Sequence, residues 1–256
     1  RLYFLMIEVT LIGTGRLSFN LMNEILNNKR LKLNQVYGRS KFRPKHISDD
    51  VEYIKEIKNI NKSDFYLIAV SDNEIYNVSN QFDAMEGIVL HVSGNTNINV
   101  LSNHKNYGVF YPLQTFSYET SLNFTEIPII IEGNNKVNQK KVEKFSKIIS
   151  GKVYKMSSNE RAICHLAATV ANNFTNHLVF KAEQILEKHK IDKLILKPLI
   201  KETFNKLDRM TTSEAQTGAA LRNDNLTIES HLRQLNESDF LNLYKEITKS
   251  IRSNEL

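Results

Sequence analysis

The chain has 256 residues, enough for one large or two modest domains, and its 41% hydrophobic content suffices for a real core. No run approaches the roughly 18 uninterrupted apolar residues of a membrane helix. The net charge of +6 comes from scattered lysines without an aromatic-interleaved basic stripe, so a basic surface with a phosphate-bearing ligand is expected, and neither nucleic acid nor membrane. A lone cysteine, Cys164, excludes an internal disulfide and fits the cytoplasm. No secretory signal is expected, because residues 1–6 are too short for one and lead straight into the first strand; Met6 is the expected natural start, with residues 1–5 an extension.

Taken in order, residues 9–12 form an apolar strand that enters Gly13-Thr14-Gly15-Arg16-Leu17-Ser18, and a helical pattern follows through Leu21, Met22, Ile25 and Leu26. That is the strand–turn–helix context of a dinucleotide-binding fingerprint. Gly13 permits the tight turn, and Gly15 lets the backbone approach a pyrophosphate at the helix N-terminus. Ser18 replaces the third glycine and is small enough for close helix–strand packing. Gly13, Thr14, Gly15, Arg16 and Leu17 are therefore candidate cofactor-binding residues. A second strand, residues 33–38, ends in Tyr37-Gly38-Arg39-Ser40, where an acidic residue would hold the adenosine ribose of NAD. None is present. The Arg39 guanidinium and Ser40 hydroxyl suit the 2′-phosphate of NADP instead, so NADP is expected over NAD; a solvated basic loop is the plainer alternative.

Residues 50–57 carry an amphipathic pattern. Residues 65–70 are a continuous apolar run, as in a strand buried on both faces of a parallel sheet. Val70-Ser71-Asp72 lies at its carboxyl end, where open α/β sheets bind ligands, although Ser71 or Asp72 could equally cap the next helix. In a further strand, residues 87–92, His91 is open to two readings: a satisfied core histidine, or a strand-end group facing the nicotinamide. The segment 107–112 must turn at Pro112, which sets Gln114 and Thr115 beside His91-Val92-Ser93. A strand at 127–132, a basic amphipathic helix at 136–149 and a short strand at 152–156 complete the alternation. The expected architecture is α/β, a doubly wound, largely parallel sheet over residues 1–151, then an all-α domain over 152–256.

Ser157 or Ser158 with Glu160 marks a helix start. Residues 162–180 then contain no Asp, Glu, Lys or Arg. Ile163, Leu166, Val170, Phe174 and Leu178 form one side; His165, Thr169, Asn172 and Asn176 form a polar, uncharged stripe opposite. A solvated face would carry charge, so this helix is expected to be buried on both sides. Its stripe either makes helix–helix hydrogen bonds or offers donors and acceptors to a substrate. A helix over 195–208 has Pro198 near its start. A polar loop over 216–224 holds Arg222 and Asp224, which either pair or leave Arg222 to clamp an acidic substrate. Amphipathic helices at 228–235 and 240–251 leave apolar surface that calls for a partner, so a homodimer through the helical domain is expected.

Several stretches carry a resemblance that spans nearly the whole chain. They are Gly13-Thr14-Gly15, Tyr37-Gly38-Arg39-Ser40, Val70-Ser71-Asp72, His91-Val92-Ser93-Gly94, the Tyr-Pro-Leu-Gln-Thr-Phe of 111–116, residues 165–177, and Gln216-Thr217-Gly218 with Arg222 and Asp224. The chain resembles predicted oxidoreductases with an N-terminal Rossmann-like domain and a C-terminal helical domain of unknown function. These are relatives of pyrroline-5-carboxylate reductase and the 6-phosphogluconate dehydrogenase-like group. The resemblance implies NADP, a dimer, and hydride transfer between the nicotinamide and a small carbonyl or imine. The related hydroxyacid dehydrogenases carry a catalytic lysine, with paired asparagines three and four residues on. Asn172-Asn173 looks like that pair, which puts Thr169 at the lysine's place, and a threonine is no general acid near neutral pH. His165 on the same stripe is then the first candidate proton donor and His91 the second. Asn172 and Asn176 are candidate catalytic residues, and Gln114, Thr169, Asn173 and Arg222 candidate substrate contacts. The missing lysine also motivates an alternative, a non-enzymatic NADP-binding sensor or assembly protein. No metal spacing, nucleophile elbow or Walker lysine is present.

Overall fold

The structure, a computed structural model, describes residues 6–253 other than 85, 120, 121 and 237. The chain divides into two compact units, one through Asn172 and one from Asn173. The first contains β1 (Ile7–Ile12), α1 (Arg16–Asn27), β2 (Leu31–Tyr37), β3 (Tyr53–Ile54), β4 (Phe65–Ile68), α2 (Ile75–Ser79), β5 (Ile88–His91) and β6 (Tyr107–Pro112). It continues with β7 (Ile129–Gly133), α3 (Lys136–Ile149), β8 (Val153–Lys155) and α4 (Ser158–Ala168). The eight strands form one sheet in the order β3-β2-β1-β4-β5-β6-β7-β8. This is a Rossmann-like order, and it reverses between β1 and β4, where a ligand crevice opens. The amphipathic stretch at 50–57 supplies only the short edge strand β3, paired parallel to β2, before a 3-10 turn at Ile57–Asn59.

Every pairing is parallel except β6 with β7. Among the described residues between those two strands there is no α-helix to make a crossover, and β7 returns antiparallel. Helix α3 then provides the crossover that makes β8 parallel to β7. Successive strand residues point to opposite faces. Phe65 and Leu67 join a core with Leu21 and Ile25 of α1 and Val142 and Phe145 of α3. Tyr66 and Ile68 join the other, with Ile75 and Val78 of α2. Strand β4, Phe-Tyr-Leu-Ile, is apolar or aromatic and buried at every position because both of its faces are covered.

The start of α4 is fixed by a capping box. The Ser157 hydroxyl accepts from the Glu160 amide while the Glu160 carboxylate accepts from the Ser157 amide. After α4, Thr169–Phe174 is π-helical, a wider turn that recurs at functional sites.

The second unit contains α5 (Thr175–Lys188), α6 (Lys197–Leu207), α7 (Thr212–Ala215), α8 (Asn225–Gln234) and α9 (Leu241–Arg252). Pro198 sits in the first turn of α6, where its missing N–H is harmless, and a separate 3-10 turn precedes it at Lys193–Leu196. Asp224 caps α8 through the Thr227 amide. Among the described residues of this unit only Ile228 and Leu235 are buried.

The expectation that residues 162–180 are buried on both sides does not hold in the single chain. Ile163, Leu166, Val170 and Phe174 are more than half exposed. The absence of charge reads as burial only when something covers the face, and none of the described residues covers it. No helix among the described residues is long and apolar enough to cross a membrane.

Candidate functional site

The carboxyl ends of β1, β4 and β5 open onto a cleft of about 550 Å³ in the first unit. Its glycine turn is built by close packing. Gly13 has φ 124°, its amide donates to the Tyr37 carbonyl at 2.9 Å, and a Cβ there would stand 2.2 Å from the Ala69 carbonyl oxygen. Only glycine lets β1 approach β4 this closely while turning. The buried Ser18 hydroxyl donates to the Gly13 carbonyl at 2.6 Å, so the serine in the third glycine's place ties the turn to the helix as well as fitting beneath it. Gly15 is the N-cap of α1 and provides no side-chain cap, and a Cβ built on it meets nothing within 4 Å. The first amides of α1 thus have no side-chain cap among the described residues, and no acidic residue occupies the first turn. That is the arrangement that receives a phosphate.

Arg39 follows β2 on the rim of the cleft, with its guanidinium 3.5 Å from the Glu74 carboxylate. Both groups are substantially exposed, so this pair is weak and leaves the guanidinium available to a stronger anion. The opposite wall is formed by Ser93 and Gly94 after β5, Tyr111 of β6 and His165 of α4. The Tyr111 hydroxyl lies 2.9 Å from Nδ1 of His165, and the rings meet edge to face.

Beneath this wall lies a buried polar network. Arg161, one turn before His165 on α4, is fully buried. Its guanidinium donates to the Glu132 carboxylate at 2.6 Å, to the Thr96 carbonyl, and to the Ser158 hydroxyl at 3.3 Å. Ser158 in turn donates to Glu132 at 2.8 Å and accepts from the Ile98 amide at 3.0 Å. Strand β7, the loop after β5 and the first turn of α4 are therefore locked together, and His165 projects from the locked helix.

Comparison with known proteins agrees with this construction. Residues 127–251 match the family described as Domain of unknown function (DUF2520). A protein of Bacteroides fragilis named "putative NADP oxidoreductase" is 30% identical, with a TM-score of 0.89 over 97% of this chain and 99% of its own. The chain belongs to the DUF2520 family. A Thermotoga maritima protein is 22% identical (TM-score 0.81, covering 96% of this chain and 98% of its own). The pyrroline carboxylate reductase of Plasmodium falciparum, whose structure has NADP bound, is 15% identical (TM-score 0.62, covering 96% and 98%), and it shares the fold. No curated protein matches the sequence.

In this DUF2520 protein the cleft gathers Gly13, Thr14, Gly15, Arg16, Leu17, Arg39, Val70, Ser71 and Asp72 along one side and His165 on the other. Ser40 is outside the lining; its carbonyl accepts from the Tyr53 hydroxyl and its own hydroxyl from the Phe42 amide. His91 is wholly buried behind the wall. Its Nδ1 accepts from the Ser93 amide, and burial, aided by the charge of Arg161, pushes its pKa down to about 3. It is thus a neutral core histidine. Gln114 accepts from the Thr115 amide beyond the end of β6. The Thr169 hydroxyl donates to the His165 carbonyl one turn earlier. Asn172 closes the first unit, and Asn173, Asn176 and Arg222 belong to the second.

Tyr111, Gly94, Glu74, Glu132 and Arg161 carry the site's geometry without having a role assignable from the sequence alone. One signal did exist. Arg161 is the last charge before a run of 19 residues that carries none, and a charge at the border of such a run is a candidate for burial in a pair.

Proposed function

We propose that this protein is an NADP-dependent reductase of a small imine or carbonyl compound. The observation that carries the reading is a single cleft with an uncapped helix N-terminus and glycine turn on one side and His165 on the other. The dinucleotide pyrophosphate would lie against the first amides of α1, and its 2′-phosphate would replace Glu74 as the partner of Arg39. The name of the Bacteroides relative supports NADP. When bound, the nicotinamide supplies a hydride to the substrate carbon. His165 in its imidazolium form gives the balancing proton to the substrate oxygen or nitrogen and is left neutral. His91 takes no part, because it is buried and stays unprotonated. An imine suits a site without the dehydrogenase lysine, since it can arrive already protonated.

Titration with NADPH and NADH, followed by nicotinamide fluorescence, tests the cofactor; the absence of tryptophan keeps the background low. Arg39→Ala should weaken NADPH about tenfold, the lower end for a charge-assisted hydrogen bond because Arg39 is exposed, and leave NADH nearly unchanged. Equal losses for both would remove Arg39 from phosphate recognition, and no binding of either would end the reductase reading. NADPH oxidation with a panel of small cyclic imines and aldehydes tests the reaction. Tight binding without turnover of any would favour a sensor.

The second unit is proposed to pair with a second copy. Leu194, Ile195, Leu199 and Phe204 are exposed there, and the two buried residues among those described do not make a core that offsets the entropy of ordering the helices α5 to α9. Sedimentation at micromolar concentration should give one species of twice the chain mass, and a well-folded monomer would refute this.

A further inference from the structure

The wall opposite the glycine turn contains a pair of side chains that the proposed reaction uses only in part. Tyr111 and His165 are 54 positions apart, on β6 and α4, yet the phenol oxygen is 2.9 Å from Nδ1, with ring centroids 5.8 Å apart at 72°. The contact is built into the backbone behind it. A methyl group at Gly94 would stand 2.5 Å from Nδ1 of His165 and 2.7 Å from Cζ of Tyr111. Gly94 is therefore the residue type that lets both rings close against the loop after β5. All three residues line the cleft.

A hydrogen bond at one imidazole nitrogen decides what the other can do. We propose that Tyr111 is the positioning residue of His165: its hydroxyl donates to Nδ1, so that the neutral ring carries its proton on Nε2, the nitrogen left for a polar atom of the substrate. Two observations favour the phenol as donor. Burial, with smaller contributions from Cys164 and Asp72, pushes Tyr111 up to about 12, so it keeps its proton throughout the physiological range. The half-buried hydroxyl also has an acceptor within hydrogen-bond reach, the neighbouring Nδ1. In the imidazolium form Nδ1–H donates back to the same oxygen and Nε2–H faces the ligand; giving up the Nε2 proton leaves the ring as the Nδ1–H tautomer, still bonded to Tyr111, until exchange with solvent restores the resting Nε2–H form. The proton's destination on a substrate rests on the reductase reading; the tautomer does not.

The test is a long-range proton–nitrogen correlation spectrum of the full chain labelled with nitrogen-15 histidine, recorded above neutral pH, with the His165 signals assigned by their loss in His165→Gln. The expected result is an N–H type nitrogen at Nε2 and an unprotonated type at Nδ1. In Tyr111→Phe this signature should be lost and replaced by an average of the two tautomers. A wild-type proton on Nδ1, or averaged tautomers in the wild type, overturns the proposal whatever the variant does. So does a Tyr111→Phe spectrum identical to wild type. Failure of the protein to bind NADPH would refute the reductase reading but leave this spectrum decisive.

Discussion

Glu132→Ala should cost the first unit about 3–5 kcal/mol of stability, the scale for removing one partner of a buried ion pair. The Arg161 side chain is 0% exposed and its main anionic partner is the Glu132 carboxylate at 2.6 Å. What would remain, the Thr96 carbonyl and the Ser158 hydroxyl, are dipoles without net charge, and Nε of Arg161 already lacks a partner among the described residues. The stranded guanidinium is therefore costlier than the lost bond itself. Urea unfolding would read this as a lower midpoint with an unchanged slope. The double variant Glu132→Leu, Arg161→Met should recover much of the loss, because a buried pair replaced by apolar groups of similar volume is often neutral. A single variant as stable as wild type would show that water or another anion reaches Arg161. The same variant is expected to disturb His165, which stands one turn further along the helix that Arg161 anchors.

Gly13→Ala should abolish dinucleotide binding and destabilise the unit by about 3 kcal/mol, combining a side chain at positive φ with overpacking against a neighbouring strand. The added carbon would meet the Ala69 carbonyl at 2.2 Å, a backbone atom that cannot rotate away. Relief requires β1 and β4 to separate, which moves the Gly13 carbonyl from Ser18 and tilts the first turn of α1 away from the phosphate position. Gly15→Ala is the instructive companion. Its φ of −76° is ordinary and its Cβ meets open space, so it should melt like wild type and yet bind NADPH more weakly, because the space is what the pyrophosphate needs. Thermal melts and fluorescence titration of both variants check this. If Gly13→Ala bound NADPH as wild type does, the glycine turn would not be the cofactor site.

How much of this was legible in advance follows the range of each interaction. The glycine turn, the start of α1, the extent of α3 and the capping box at Ser157 and Glu160 are written in residues within four positions of one another. Their physics is backbone conformation and local hydrogen bonding, which the sequence expresses directly. The alternation of apolar runs with helical patterns likewise determined a doubly wound sheet, because strands covered on both faces must be apolar throughout. What only the tertiary structure decided are pairings across the sheet: Tyr111 with His165, Glu132 with Arg161, Arg39 with Glu74, and the reversal of β7. Even His91, one residue from the end of an apolar strand, was ambiguous until its burial behind Ser93 was known. A residue's face in a strand buried on both sides leaves no polar alternation to read. A partner dozens of positions away leaves no spacing either, so the sequence by itself determined the dinucleotide turn and the layered fold, and the packing of β6, β7 and α4 alone decided which side chains stand across from it.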